Sequence, residues 1–233
     1  YRFAGLYDLR LRVSELSELV HVNEYLYSEV ETDTRKSGEK LFDYVDPKNR
    51  AVQIEMESVC TAYLKRVGGY LAPGFEPISF DIDGFEQEAS VIIPVRNRIR
   101  TIEDAIRSVL MQETTFRFNL IIVDNHSTDG TSEAIEKYTA DKRVIHLIPE
   151  RFDLGIGGCW NVGAHHPACG KFAVQLDSDD VYSGPNTLQK IVNAFYEQNC
   201  AMVVGTYRMT DFKMNEIPPG IIDHREWTPD NGR

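Results

Sequence analysis

The sequence has no apolar run approaching the roughly 20 residues that a membrane-spanning helix requires, and its first residues carry no secretory pattern. CxxC pairs and metal-finger spacings are also missing: Cys60, Cys159, Cys169 and Cys200 stand apart. Free thiols in a reducing, cytoplasmic setting are the plain reading, with any membrane association left to other parts of a parent protein. One zinc option stays open, at His165, His166 and Cys169 in HHPAC. Positive charge is short, with 25 Lys and Arg against 36 Asp and Glu, a net charge of −11. Such a surface repels phosphate backbones, which argues against nucleic acid as a partner. A phosphate ligand would need local positive charge or a metal ion. No glycine-rich turn follows the first predicted strand, and GIGGCW has the wrong spacing for a dinucleotide fingerprint, which argues against a dinucleotide-dependent oxidoreductase.

What is present divides into two textures. Residues 1–80 are charge-rich and read as a mostly helical N-terminal segment, the tail of a preceding domain. Leu6, Leu9, Val13 and Leu16 are spaced as a helical stripe, LVHVNEYLY alternates like a short strand, and ETDTRKSGEK reads as a loop. A helix is expected next, capped by Asp46 with Pro47 in its first turn. Val52, Met56, Val59, Tyr63 and Val67 form its face, and Gly68-Gly69 stops it. APGFEP has linker composition. The chain opens at Tyr1 without an initiator Met and closes at Arg233, and so reads as an excised piece.

From about Glu88, strand and helix patterns alternate. ASVIIPV, FNLIIVD, VIHLI, KFAVQLD and AMVVGTYRM read as five strands. Between them, Thr101 and Asp104 resemble a capping box, and Ile102, Ile106, Val109 and Leu110 line a helix. Ala134, Ile135 and Tyr138 mark another, GIGGCWNVGAHH opens a third beside a ligand, and Leu188, Ile191, Val192, Phe195 and Tyr196 mark a fourth. The expected class is α/β, with right-handed crossovers and a mainly parallel, Rossmann-like sheet.

Ligands of such sheets bind beyond the carboxyl ends of the strands. Three of those ends are polar: Pro94-Val95-Arg96-Asn97, Asp124-Asn125-His126-Ser127 and Asp177-Ser178-Asp179-Asp180. In extended chain, Asp177 and Asp179 point the same way, and paired carboxylates are costly unless a cation lies near them. Mg²⁺ or Mn²⁺ prefers such ligands and bridges diphosphate oxygens, so an acidic protein can hold a diphosphate through the metal. The competing reading of DSDD is a solvated turn capping the next helix. Asp124 either accepts hydrogen bonds from a base or braces the NHSTDG turn. Glycines 155, 157, 158 and 163 would let the backbone approach a ligand. His126, His165 and His166 read as turn or surface histidines, and Trp160 and Trp227 as packing residues.

Together, EASVIIPVRNRIRTIEDAIRSVLMQ, LIIVDNHSTDGTSEAI, GIGGCWNVGAHHPACGKF and VQLDSDDVY resemble the inverting family 2 of glycosyltransferases, which has the GT-A fold. The resemblance runs in order from about residue 88 to 207. It implies a donor-binding domain over residues 85–233, truncated before the acceptor half. Pro94, Val95, Arg96 and Asn97 would lie against the nucleoside, and Asp124 would contact the base. Asp177, Ser178 and Asp179 would engage ribose, diphosphate and metal, with Asp179 the direct ligand of Mn²⁺ or Mg²⁺. The donor implied is a nucleoside-diphosphate sugar, most commonly UDP-linked, and the acceptor a saccharide or other hydroxyl. Many members have Arg where Trp160 precedes Asn161, so a phosphate contact is either missing here or supplied elsewhere, as by Arg96 or Arg98. The family's catalytic base, often in an ED pair, is not found among Asp211, Glu216, Asp223, Glu226 and Asp230, and is expected past Arg233. The alternative function is a non-catalytic module that holds nucleotide-sugar within a larger protein.

Overall fold

The computed structural model describes residues 1–28, 50–72, 74, 76–82 and 84–224. The chain forms two compact units. One contains Pro77–Val204, and the other combines Tyr1–Glu76 with the chain from Gly205 onward.

The Pro77–Val204 unit is built on a four-stranded parallel sheet of order β3-β2-β1-β4: β1 (Ala89–Val95), β2 (Phe118–Asp124), β3 (Val144–Leu147) and β4 (Phe172–Gln175). Every residue of β1 and β2 is buried, as near-continuous apolar runs in the middle of a parallel sheet should be. Alternate side chains go to opposite faces. Val91, Ile93, Val95, Leu120 and Ile122 pack with residues of α3 (Ile102–Leu110), α4 (Thr131–Glu136) and α6 (Thr187–Gln198). Ile92, Ile121 and Val123 instead meet α5 (Gly155–Ala164) through Cys159, Trp160 and Val162. Each fully buried isoleucine contributes about 2 kcal/mol by leaving water.

Polar anchors fix the loops at either end. Near the amino ends of β1 and β2, the Ser90 hydroxyl donates to Asn119 Oδ1 and accepts the Gly170 N–H at 2.7 Å, while Asn119 Nδ2 donates to Ala168 O at 2.7 Å. Buried Gln112 donates to Ser108 O and Gly184 O and accepts the Leu188 N–H, each at 2.9 Å. It thereby ties the segment after DSDD, and the start of α6, to α3.

Several sequence expectations need correction. The segment 201–209 is not a fifth strand of the parallel sheet. Gly205 interrupts the run, and β5 (Tyr207–Thr210) pairs antiparallel with β6 (Glu216–Ile222) in a separate two-stranded sheet. Asp211 closes that hairpin by accepting the N–H groups of Lys213 and Asn215 at 2.8 and 2.9 Å. A short local closure costs less chain entropy than a long crossover. Thr101 does precede α3, but its hydroxyl makes no cap, and the entry is a turn in which the Thr101 and Ile102 N–H groups donate to Arg98 O. Asp104 pairs with Arg107 instead.

In the other unit, α1 (Gly5–Ser14) and α2 (Arg50–Arg66) pack together. Glu55 of α2 accepts the N–H groups of Arg2 (2.8 Å), Phe3 and Ala4 (2.7 Å), which pins the residues leading into α1. Glu15 and Arg66 pair at 2.7 Å. The Leu6, Leu9, Val13 and Leu16 stripe is exposed rather than packed, and of the predicted α2 face only Val59 is buried. Residues 19–27 form no strand, and no strand among the described residues pairs with them. Gly68 ends α2 as expected, in a left-handed conformation (φ 74°) that lets the Gly69 and Tyr70 N–H groups reach Leu64 O. The ETDTRKSGEK loop, the Asp46–Pro47 start and residues 73 and 75 of the linker lie outside the described residues. Among the described residues, no helix is long and apolar enough to cross a membrane.

Candidate functional site

The carboxyl ends of β1 and β2 are laced together. Asn97 takes a left-handed conformation (φ 55°), which asparagine tolerates better than most residues. In that turn its N–H donates to Ser127 Oγ at 3.0 Å and its Oδ1 accepts the Thr128 N–H at 2.7 Å. Arg98 N–H donates to Thr131 Oγ1 at 2.8 Å, and Ile99 N–H to Asp129 Oδ2 at 3.2 Å. The Thr131 hydroxyl bond holds the Asp129 carboxyl below its ordinary range, with burial opposing and the Ile99 N–H assisting. Arg96 and Asn97 stand exposed at this rim, while Pro94 and Val95 are buried within β1.

Asp124 is fully buried. Its Oδ1 accepts the Ser127 N–H at 2.9 Å, its Oδ2 accepts the Ser132 hydroxyl, and His146 Nε2 stands 3.5 Å from Oδ2. Burial alone would raise its pKa, but the groups of His146, Ser132 and Ser127 outweigh it and bring it down to about 2. These contacts make Asp124 a brace of the turn after β2. The neighbouring Asn125 differs. It is nine-tenths buried, its N–H donates to Val95 O at 2.8 Å, and its Oδ1 has no hydrogen-bond partner. An unsatisfied buried acceptor is costly, and this one stands just past the carboxyl end of β2.

Beyond β4, burial alternates along the chain. Leu176 and Ser178 are buried, and Asp177 and Asp179 are both exposed, in a turn closed by the Asp180 N–H donating to Asp177 O at 3.1 Å and not in the extended chain that the i, i+2 expectation assumed. Partial burial and then the charge of Asp179 raise the Asp177 pKa; burial and then Asp177 and Asp179 raise that of Asp180. Arg98 Nε approaches Asp179 Oδ2 to 3.7 Å, which brings the β1 loop to the acidic turn. Hard carboxylates two residues apart are of the ligand type that Mg²⁺ or Mn²⁺ takes. Among the described residues no three His, Cys, Asp or Glu side chains form a ready-made cluster.

The remaining candidates sit apart from this lattice. Asn161 lies exposed on α5, with its carbonyl accepting the His165 N–H at 3.0 Å and His165 Nδ1 at 2.9 Å. His166 Nδ1 accepts the Ala168 N–H, so both histidines finish α5. His126 stacks on Phe152, with centroids 3.8 Å apart, and reaches Arg151 O through Nε2 at 3.1 Å. Gly163 serves packing rather than a ligand, since a Cβ there would come within 2.5 Å of Ile92 Cγ2. A Cβ at Gly158 would meet Leu154, and only positions 155 and 157 face open space. In the hairpin, Asp211 is consumed by its turn and Glu216 pairs with Arg208 at 3.4 Å. Trp227, Glu226 and Asp230 lie outside the described residues. Sequence reasoning missed Asn125, Asp129, Thr131 and His146. The signals were a second polar residue at the end of FNLIIVD, the Asp-Gly-Thr that follows, and a histidine inside VIHLI.

The glycosyl transferase family 2 model matches residues 90–231. An uncharacterized glycosyltransferase of Rickettsia felis is 39% identical over 97 residues, 42% of this chain and 15% of that protein. The GalNAc(5)-diNAcBac-PP-undecaprenol beta-1,3-glucosyltransferase of Campylobacter jejuni is 32% identical over 111 residues, 46% of this chain and 35% of that protein. The crystal structure of S. aureus TarS 1-349 in complex with UDP-GlcNAc is similar at 31% identity and a TM-score of 0.42, over 47% of this chain and 31% of that one. This chain spans less than half the length of each protein it matches.

Proposed function

The chain belongs to glycosyl transferase family 2, and from that premise we propose that it holds a nucleoside-diphosphate sugar, UDP-linked, for inverting, metal-assisted transfer to an acceptor hydroxyl. The observation that carries this reading is the approach of Arg98 to Asp179, in an acidic turn that also exposes Asp177, beyond the carboxyl end of a parallel strand. The base would lie at the carboxyl end of β2, with the unpartnered Asn125 Oδ1 beside Asp124 as the acceptor for an N–H of its edge. Arg96 and Arg98 supply local positive charge to the diphosphate of an otherwise acidic protein. Asp179, with Asp177, would hold Mn²⁺ or Mg²⁺, which supplies charge to stabilise the leaving diphosphate. A carboxylate base would deprotonate the acceptor hydroxyl.

Isothermal titration of UDP, GDP and dTDP, with and without Mn²⁺, tests the assignment. Metal-dependent binding of UDP above the other two is expected. Absence of metal-dependent binding for all three would overturn the reading.

A further inference from the structure

We propose that His146 is a positioning residue for the donor site, acting as an imidazolium that steadies the Asp124 carboxylate and, through it, the turn joined to Asn97. The donor part of this rests on the function proposed above; the effect on the turn does not.

His146 is a polar interruption of an apolar strand. In β3 it lies in register with Ile122, two residues before the end of β2, and its side chain is 8% exposed. Two carboxylates flank the ring: Asp124 of β2, with Oδ2 3.5 Å from Nε2, and Glu136 of α4, with Oε2 3.5 Å from Nδ1. At that separation Nε2 has an ionic neighbour but no hydrogen-bond partner. A neutral imidazole has one N–H and can face only one carboxylate favourably, turning a lone pair toward the other. The imidazolium offers an N–H to both. From α5, the Cys159 thiol also feels the charge of Asp124. The Asp124 carboxylate, with burial opposing and Glu136 adding, holds the His146 pKa above its ordinary value.

The effect travels outward through hydrogen bonds. Asp124 Oδ1 accepts the Ser127 N–H, Ser127 Oγ accepts the Asn97 N–H, and Asn97 Oδ1 accepts the Thr128 N–H. Losing the proton from His146 slackens the inner end of this chain, and the rim residues Asn97 and Asn125 lose their fixed placement.

The test follows the nitrogen-15 signals of the His146 ring, together with amide exchange protection at Ser127 and Thr128, in nucleotide-free protein. Wild type should show His146 titrating above the ordinary histidine value. Turn protection should fall about tenfold between about pH 6 and about pH 9, while protection in β1 holds. His146→Gln should show the weaker protection at both pH values with β1 unaffected. Titration at or below the ordinary value, or equal turn protection at both pH values, overturns the proposal, and the wild-type arm decides this even if the variant folds poorly. UDP affinity with Mg²⁺ should weaken about tenfold in His146→Gln; an unchanged value overturns the donor part. Failure of wild type to bind UDP counts against the proposed function, and the turn measurement then decides on His146 alone.

Discussion

Arg98 Nε lies 3.7 Å from Asp179 Oδ2, so a cation from the loop after β1 stands beside the outer aspartate of the turn after β4. Both side chains are about half exposed, and a pair of this kind adds little to folding. Its significance is placement. In a chain with a net charge of −11, it sets a guanidinium where a diphosphate would meet the acidic turn.

Arg98→Ala should therefore change stability by less than about 1 kcal/mol in a denaturant melt. Binding of UDP, measured by calorimetry with Mn²⁺ present, should weaken by about tenfold, the loss of one charge-assisted contact. Unchanged affinity would remove Arg98 from the site.

Asp124 yields a pH prediction. Its carboxyl sits at about 2, below the ordinary aspartate value. Its contribution is thus complete above that ordinary value and is lost as the pH falls through about 2. The gap corresponds to about 2 kcal/mol. Asp124→Asn should cost about that much at neutral pH by denaturant unfolding, and the difference from wild type should shrink as the pH is lowered from about 4 toward 2. His146 runs the other way. Its raised pKa makes its contribution full below the ordinary histidine value and lost as the pH rises through the folded-state value.

Two glycines of α5 should behave oppositely. Gly163→Ala drives a methyl to 2.5 Å from Ile92 Cγ2, and either the helix or β1 must shift. A loss of about 1–3 kcal/mol is expected. Gly157→Ala points into open space within the same helix, so it should be neutral or stabilising by up to about 1 kcal/mol. Thermal melts of the two variants provide the comparison.

The contrast within α5 illustrates what the sequence does and does not disclose. The runs ASVIIPV and FNLIIVD identify β1 and β2 because only a strand covered on both faces is apolar throughout. The spacing of Ile102, Ile106 and Val109 identifies α3, and that of Leu188, Val192 and Phe195 identifies α6. That Asp177 and Asp179 are both exposed was anticipated from extended chain, but the segment is a turn closed by the Asp180 N–H on Asp177 O, and a turn residue's direction does not follow from a pleat. Partner choice is not local, and there the reading failed. AMVVGTYRM resembles a strand, but only three-dimensional pairing reveals that β5 joins β6. The stripe on α1 has helical spacing, yet spacing does not say whether anything covers it, and Leu6 and Leu16 are exposed. Asp124 and Asn125 are adjacent and chemically similar. Which of them faces a ligand depends on Ser127, Ser132 and His146, contributed from three places in the chain. His146 looked like an ordinary strand residue until Asp124 and Glu136 were found on either side of it.

The most direct test titrates UDP into Asp179→Ala and wild type, each with Mn²⁺, after matching their melting temperatures. Asp179 is exposed and supports no core packing, so the variant should fold normally. The Mn²⁺-dependent part of the affinity should disappear, a loss of about a hundredfold, equivalent to about 3 kcal/mol. Mn²⁺-dependent UDP binding by Asp179→Ala at wild-type strength would contradict a metal-assisted donor site at this turn.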